Sequence, residues 1–205
     1  ILFDKNNKLI ECGIDEAGRG CLAGRVYVAG VILDEKNQED ELFKQIKDSK
    51  KLSRKKRHEL RQYIENTAID YSVQYSDNKL IDEINILQAT LNTMHKVIDN
   101  IKTKPELVLV DGNHFNTYTD LNGEVIPHQL IKGGDNKFYS IAAASILAKE
   151  YHDEYIKKLC QDYPDLNKYD WCNNMAYGTK KHIVAIEKYG ISIHHRKTFG
   201  ICKNL

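Results

Sequence analysis

Acids stand at three places in the sequence where side chains could bind a hard cation: the adjacent pair Asp15-Glu16, then Asp111, then Asp153. The pair follows residues 9–14, a weak strand pattern that runs into a glycine-rich turn at 18–20. Successive strand residues point to opposite sides, so one carboxylate can face a metal while its neighbour reaches the same place from the turn. Asp111 directly follows the apolar run 107–110, and open α/β sheets bind ligands at the carboxyl ends of their strands. Asp153 lies inside a helical pattern, although aspartate is a mediocre helix former. Each acid also has an ordinary reading. The pair could be a solvated turn, Asp111 a turn cap, and Asp153 one more surface charge beside Lys149, Glu150 and Glu154. Taken together, they suit Mg²⁺ or Mn²⁺, which prefer carboxylate, water and phosphate oxygens. Two such ions about 4 Å apart can align an attacking water and a leaving oxygen on one phosphodiester.

Competing chemistries lack their residues. No P-loop, no Ser/His/Asp order and no dinucleotide fingerprint is present, and Gly18-Arg19-Gly20 has the wrong spacing for the last. Those glycines let the backbone come close to a ligand, and a sugar 2′-hydroxyl is the group that distinguishes RNA from DNA. A tight turn alone would also need them. The five cysteines form no CxxC pair, which argues against a zinc site or a disulfide framework and fits reduced thiols in a cytosol. Residues 1–10 include Asp4, Lys5 and Lys8 and do not read as a signal peptide. No apolar run is long enough to span a bilayer.

With 30 basic and 29 acidic residues the net charge is +1, so overall charge does not point to nucleic acid. Local clusters do. Lys50, Lys51, Arg54, Lys55, Lys56 and Arg57 form one, and Lys180, Lys181, His182, His194, His195, Arg196 and Lys197 another. Either could equally be a solvated face.

The elements that must position these residues alternate. Strands are expected at 26–33, 70–75, 107–110 and 125–131, and helices at 53–66, 81–102, 141–159 and 180–189, the last ending at Gly190. No linker or repeat divides the 205 residues. One α/β domain over 1–205 is expected, with a mixed sheet and a helical part from about 165 onward.

Ordered motifs give this pattern a family. Asp15-Glu16-Ala17-Gly18-Arg19-Gly20 with Leu22-Ala23-Gly24 resembles the opening signature of ribonuclease HII. Asp48-Ser49-Lys50-Lys51-Leu52-Ser53, Asn85-Ile86-Leu87-Gln88-Ala89-Thr90 and Val110-Asp111-Gly112 continue the resemblance. So do the stretch from Ser140 to Lys149, Tyr177-Gly178-Thr179-Lys180-Lys181-His182, and His195-Arg196 through Phe199. The Gly18-Arg19-Gly20 triplet favours type 2 over type 3 enzymes.

The resemblance implies a ribonuclease H-like fold: a mixed central β-sheet flanked by helices. It implies a catalytic and metal site of Asp15, Glu16, Asp111 and Asp153, two Mg²⁺ or Mn²⁺ ions, and cleavage giving 5′-phosphate and 3′-hydroxyl ends. The expected substrates are RNA–DNA hybrids and DNA duplex containing ribonucleotides. Gly18, Arg19, Gly20 and Tyr177 are expected at the ribose, with Lys50, Lys51 and Asn85 also contacting substrate. A cytoplasmic monomer with no membrane association is expected. Four departures stand out: Cys21 and Arg25 occupy positions where many members have proline, His152 one where arginine is usual, and Met175-Ala176 one where Lys-Gly is common. Two rival readings differ in their tests. Another metal-dependent nuclease of the same fold would not require ribose at the cut. An inactive hybrid-binding module would bind without metal-stimulated turnover.

Overall fold

The computed structural model describes residues 9–204; most of the 1–10 segment lies outside them. The chain begins with an antiparallel pair, β1 (Glu11–Ala17) and β2 (Val26–Ile32). All seven residues of β2 are buried, as its unbroken apolar run requires of a strand covered on both faces. A short 3₁₀ turn at Ser49–Lys51 leads into α1 (Arg54–Thr67), whose N-cap Ser53 accepts from the Lys56 N–H. Next come β3 (Asp70–Ser76), α2 (Asn78–Asn100) and β4 (Leu107–Asp111).

Two expectations on these elements were too simple. The helix expected at 81–102 is interrupted: Asn85 has φ 67° and ψ 164° inside α2. Its carboxamide oxygen accepts from Leu87 N at 3.0 Å and Gln88 N at 3.1 Å, so it caps the second helical segment. The strand expected at 125–131 divides at Pro127, which has no N–H to give a ladder. Before it, β5 (Tyr118–Thr119) and β6 (Val125–Ile126) form a hairpin; after it, β7 (His128–Ile131) joins the main sheet.

The main sheet has the order β3-β2-β1-β4-β7. Both β1–β4 and β4–β7 are parallel, so three carboxyl ends lie at one edge. The long helix α3 (Tyr139–Asp162) crosses one face with α1, burying Leu60, Ile64 and residues 142–148 against Ala17, Ala29 and Val31. The approach is close. A Cβ at Gly13 would meet the Ser140 backbone at 2.2 Å, so only glycine fits there. The opposite face buries Cys12, Ile14, Val28 and Val110 under α2.

The C-terminal part consists of a 3₁₀ turn at Pro164–Tyr169, α4 (Trp171–Asn174), α5 (Lys180–Tyr189) and a last 3₁₀ turn at Gly200–Asn204. It packs on α3 and on residues 21–23 through Ile156, Leu159, Trp171 and Ile186. No helix among the described residues is long and apolar enough to cross a membrane. The five cysteines are free thiols.

Candidate active site

Register brings the first acids together. Ile14 pairs with Val110 across β1 and β4, which sets Asp15 beside Asp111 where both strands end. Alternation along each strand then turns both side chains toward α3. Ser145 of α3 hydrogen-bonds the Asp15 carboxylate. Ser49 lies 2.9 Å from that same serine hydroxyl, tying the Ser49–Lys51 turn to the site. Glu16, the next residue of β1, stays close enough to feel the Asp111 charge, and Arg19 salt-bridges its Oε1 at 3.0 Å.

A further acid joins them. Asp135 follows β7, the parallel neighbour of β4, and is 5 % exposed. The backbone N–H of Gly134 donates to Asp111 Oδ1 at 2.7 Å, which draws the two loops together. Asp135 was missed from the sequence, although the signal resembled that of Asp111: an acid just past a strand, here behind Gly133-Gly134.

The charges in this group are poorly compensated. Burial, then the Glu16 and Asp111 carboxylates, push the Asp15 carboxyl well above its usual range. Burial also raises Glu16. Burial, then Asp48 and Asp111, raise Asp135. Lys50, on the exposed side of its turn, partly offsets both Glu16 and Asp135.

Asp153 has different surroundings. Its carboxylate receives Lys149 Nζ at 2.7 Å and Arg57 Nη2 at 3.2 Å, with His152 Nδ1 at 3.2 Å. Against the upward pull of burial, His152 and Lys149 hold its pKa below the usual value. It lies eight residues beyond Ser145, about 12 Å along α3 at the helical rise. The sequence reading grouped Asp153 with Asp15, Glu16 and Asp111; the structure instead groups it with cations.

The loop after β1 lies between these clusters. Gly18 has φ 88°, and a Cβ there would meet the His152 ring at 2.5 Å. At Gly20 a Cβ would meet only the Tyr177 ring, at 3.7 Å. Beneath the loop, the fully buried Arg196 grips its backbone. Arg196 donates to the carbonyls of Gly18 (2.8 Å), Arg19 (2.9 Å), Gly24 (3.0 Å) and Arg25 (3.1 Å). Tyr177 pairs with Cys21 in an isolated antiparallel bridge and is 37 % exposed, so its ring borders the loop.

The basic clusters divide by burial. Lys50, Lys51, Arg54 and Lys55 are exposed, but Arg57 is buried against Glu150 at 2.6 Å. In the C-terminal cluster Lys180, Lys181 and Lys197 are exposed, whereas His182, His195 and Arg196 are 0 % exposed and cannot meet a duplex. Asn85 lies on the α2 break, its oxygen engaged in the cap. Three of the departures from the family pattern contact one another. Cys21 Sγ lies 3.5 Å from His152 Nε2 and donates to the Met175 carbonyl at 3.4 Å. Arg25 lies between the Tyr75 and Tyr155 rings, 3.7 and 4.4 Å from their centroids.

The residues fit divalent cations. Glu16 Oε2 is buried without a hydrogen-bond partner, and its carboxylate neighbours repel it. Hard carboxylate oxygens are the donors Mg²⁺ and Mn²⁺ take. Among the described residues no three His, Cys, Asp or Glu side chains are gathered closely enough to hold an ion by themselves. An open set of carboxylates suits an ion that keeps several waters and takes phosphate oxygens from a substrate.

Known proteins are similar to this chain in sequence and in fold. The family model described as Ribonuclease HII matches residues 12–202. A ribonuclease HII from Bacteroides fragilis is 50 % identical over 196 residues, spanning 96 % of this chain and 92 % of that protein. The crystal structure of ribonuclease H2 from Pyrococcus horikoshii OT3 superposes with TM-score 0.74 at 26 % identity, covering 95 % of each chain. RNase HII from Archaeoglobus fulgidus, solved in a complex with PCNA, gives TM-score 0.75 at 25 % identity, covering 94 % of this chain and 96 % of that one.

Proposed function

The chain belongs to the ribonuclease HII family and is a ribonuclease H, a hydrolase acting on RNA–DNA hybrids; from that premise we propose that it incises duplex DNA on the 5′ side of an embedded ribonucleotide. The products carry 5′-phosphate and 3′-hydroxyl ends. The observation that supports this most is the poorly compensated acid cluster at the parallel strand ends, with its unpartnered Glu16 oxygen. In this reading Asp15, Glu16, Asp111 and Asp135 hold two divalent ions. Bound there, Mg²⁺ or Mn²⁺ lowers the pKa of an attacking water and stabilises the departing oxygen. The cations around Asp153 favour a supporting role for it, holding Lys149 and Arg57 in place.

The remaining residues select and hold the substrate. Backbone groups of Gly18-Arg19-Gly20, kept in shape by Arg196, meet the 2′-hydroxyl, and the Tyr177 ring packs on the adjoining sugar. Lys50 and Lys51 approach the phosphate backbone, so affinity falls as salt rises. The test is a duplex with one ribonucleotide, incubated with Mg²⁺ or Mn²⁺, its product ends analysed. Cutting of long hybrids with no incision at the single ribonucleotide would remove the junction-specific part.

A further inference from the structure

The backbone that presents Tyr177 is strained. Met175 and Ala176 sit at φ 50° and 63°, a left-handed conformation that costs a non-glycine residue about 1–2 kcal/mol. Asn174 helps close this turn: its Oδ1 accepts from Ala176 N at 2.9 Å and its Nδ2 donates to the Tyr169 carbonyl at 2.9 Å. Tyr177 itself is tied from α5, where His182 Nδ1 lies 2.9 Å from the Tyr177 carbonyl.

That contact fixes the proton positions of two histidines. A carbonyl only accepts, so His182 Nδ1 bears the proton and its Nε2 is an acceptor. Trp171 Nε1–H donates to this Nε2 at 2.9 Å. His195 Nε2 lies 3.1 Å from the same atom and must be the protonated nitrogen of its own ring. His195 Nδ1 then accepts from Ser192 N at 2.8 Å. Both rings are neutral, in opposite tautomers, and both are 0 % exposed.

We propose that His182, its tautomer set by Trp171 and His195, is a positioning residue that holds Tyr177 over Gly20 for reading the ribose. This rests on the assignment of Tyr177 to the sugar. Two substitutions divide the ring's functions. Asparagine places its amide where Nδ1 stood and still donates to the Tyr177 carbonyl. Glutamine reaches the Nε2 position, keeping the Trp171 and His195 contacts while losing that tie.

His182→Gln should lower kcat for single-ribonucleotide incision by about 10-fold or more, and His182→Asn should stay within about 3-fold of the parent. In a Tyr177→Ala background, His182→Gln should have no further effect. Independent losses that multiply in the double variant, or a His182→Gln enzyme with unchanged incision, would overturn the proposal. An unchanged Tyr177→Ala enzyme would overturn the assignment of Tyr177 and the proposal with it. Should His182→Gln fail to fold, Trp171→Phe, which removes the donor to Nε2, enters the same cycle. Coupling to Tyr177 is expected, and additivity counts against the proposal.

Discussion

Two aspartates 18 residues apart have opposite electrostatic conditions. Asp135 is buried among acids, and its carboxyl is pushed up by burial and by Asp48 and Asp111. Asp153 is equally buried but held between Lys149 and Arg57. A carboxylate surrounded by like charge gains most from an added cation, whereas one already paired gains little. Asp135→Asn should therefore leave a folded protein whose hybrid-cutting rate falls by about 100-fold or more. Its melting temperature should no longer rise with Mg²⁺, as the parent's should. Asp153→Asn should lower stability by about 1–3 kcal/mol, because Lys149 loses its buried partner, while keeping metal-stimulated turnover. Thermal melts with and without Mg²⁺, beside hybrid cleavage, separate the two. A metal response lost in Asp153→Asn and kept in Asp135→Asn would reverse the assignment.

At the scale of elements, the loop at 18–20 separates a glycine needed by the fold from one that the proposed function assigns to the ligand. Gly18→Ala combines positive φ with a clash against the buried His152 ring, so it should destabilise by about 2 kcal/mol or more. Gly20→Ala adds a methyl toward Tyr177 at ordinary contact distance and should leave the melting temperature nearly unchanged. It should raise KM, since the methyl lies where substrate backbone must approach; an unchanged KM would place the substrate elsewhere. These elements also show what could be read in advance. Strands and helices with strong apolar periodicity stood out, as did Asp15, Glu16 and Asp111, because strand ends are marked by composition. Asp135 was hidden because it stands four residues beyond its strand, behind Gly133-Gly134, rather than at the strand's end as Asp111 does. The break at Asn85 was hidden inside a continuous helical pattern that a single capped residue interrupts. The C-terminal histidines and Arg196 looked like a basic patch because burial is tertiary information. Nothing local says that Arg196 will meet four carbonyls from residues 18–25.

For the molecule as a whole, the C-terminal helices are joined to the sheet domain through a buried polar network, which makes acid a specific stress. Burial pulls the His195 pKa down to about 3, and His182, His194 and Lys168 each add to the cost of a positive charge there, partly offset by the Ser192 backbone. Burial lowers His182 as well. The aromatic neighbours Tyr169 and Trp171 supply no compensating charge. In the unfolded chain these histidines titrate near 6.5. Between that value and about 3 the unfolded state binds a proton that folded His195 refuses. Stability is therefore unaffected above pH 6.5 and falls as pH drops below it, by up to about 1.4 kcal/mol per unit for one such group. Carboxylates titrating in the same range contribute their own slope, so the informative quantity is a difference. His195→Gln keeps a donor toward His182 and removes the titrating ring. Urea unfolding of parent and variant at pH 7 and pH 5 should show the parent losing about 1–2 kcal/mol more than the variant over that interval. Parallel losses would mean that His195 is protonated in the folded protein, which would also contradict the tautomer assignment on which the hold over Tyr177 depends.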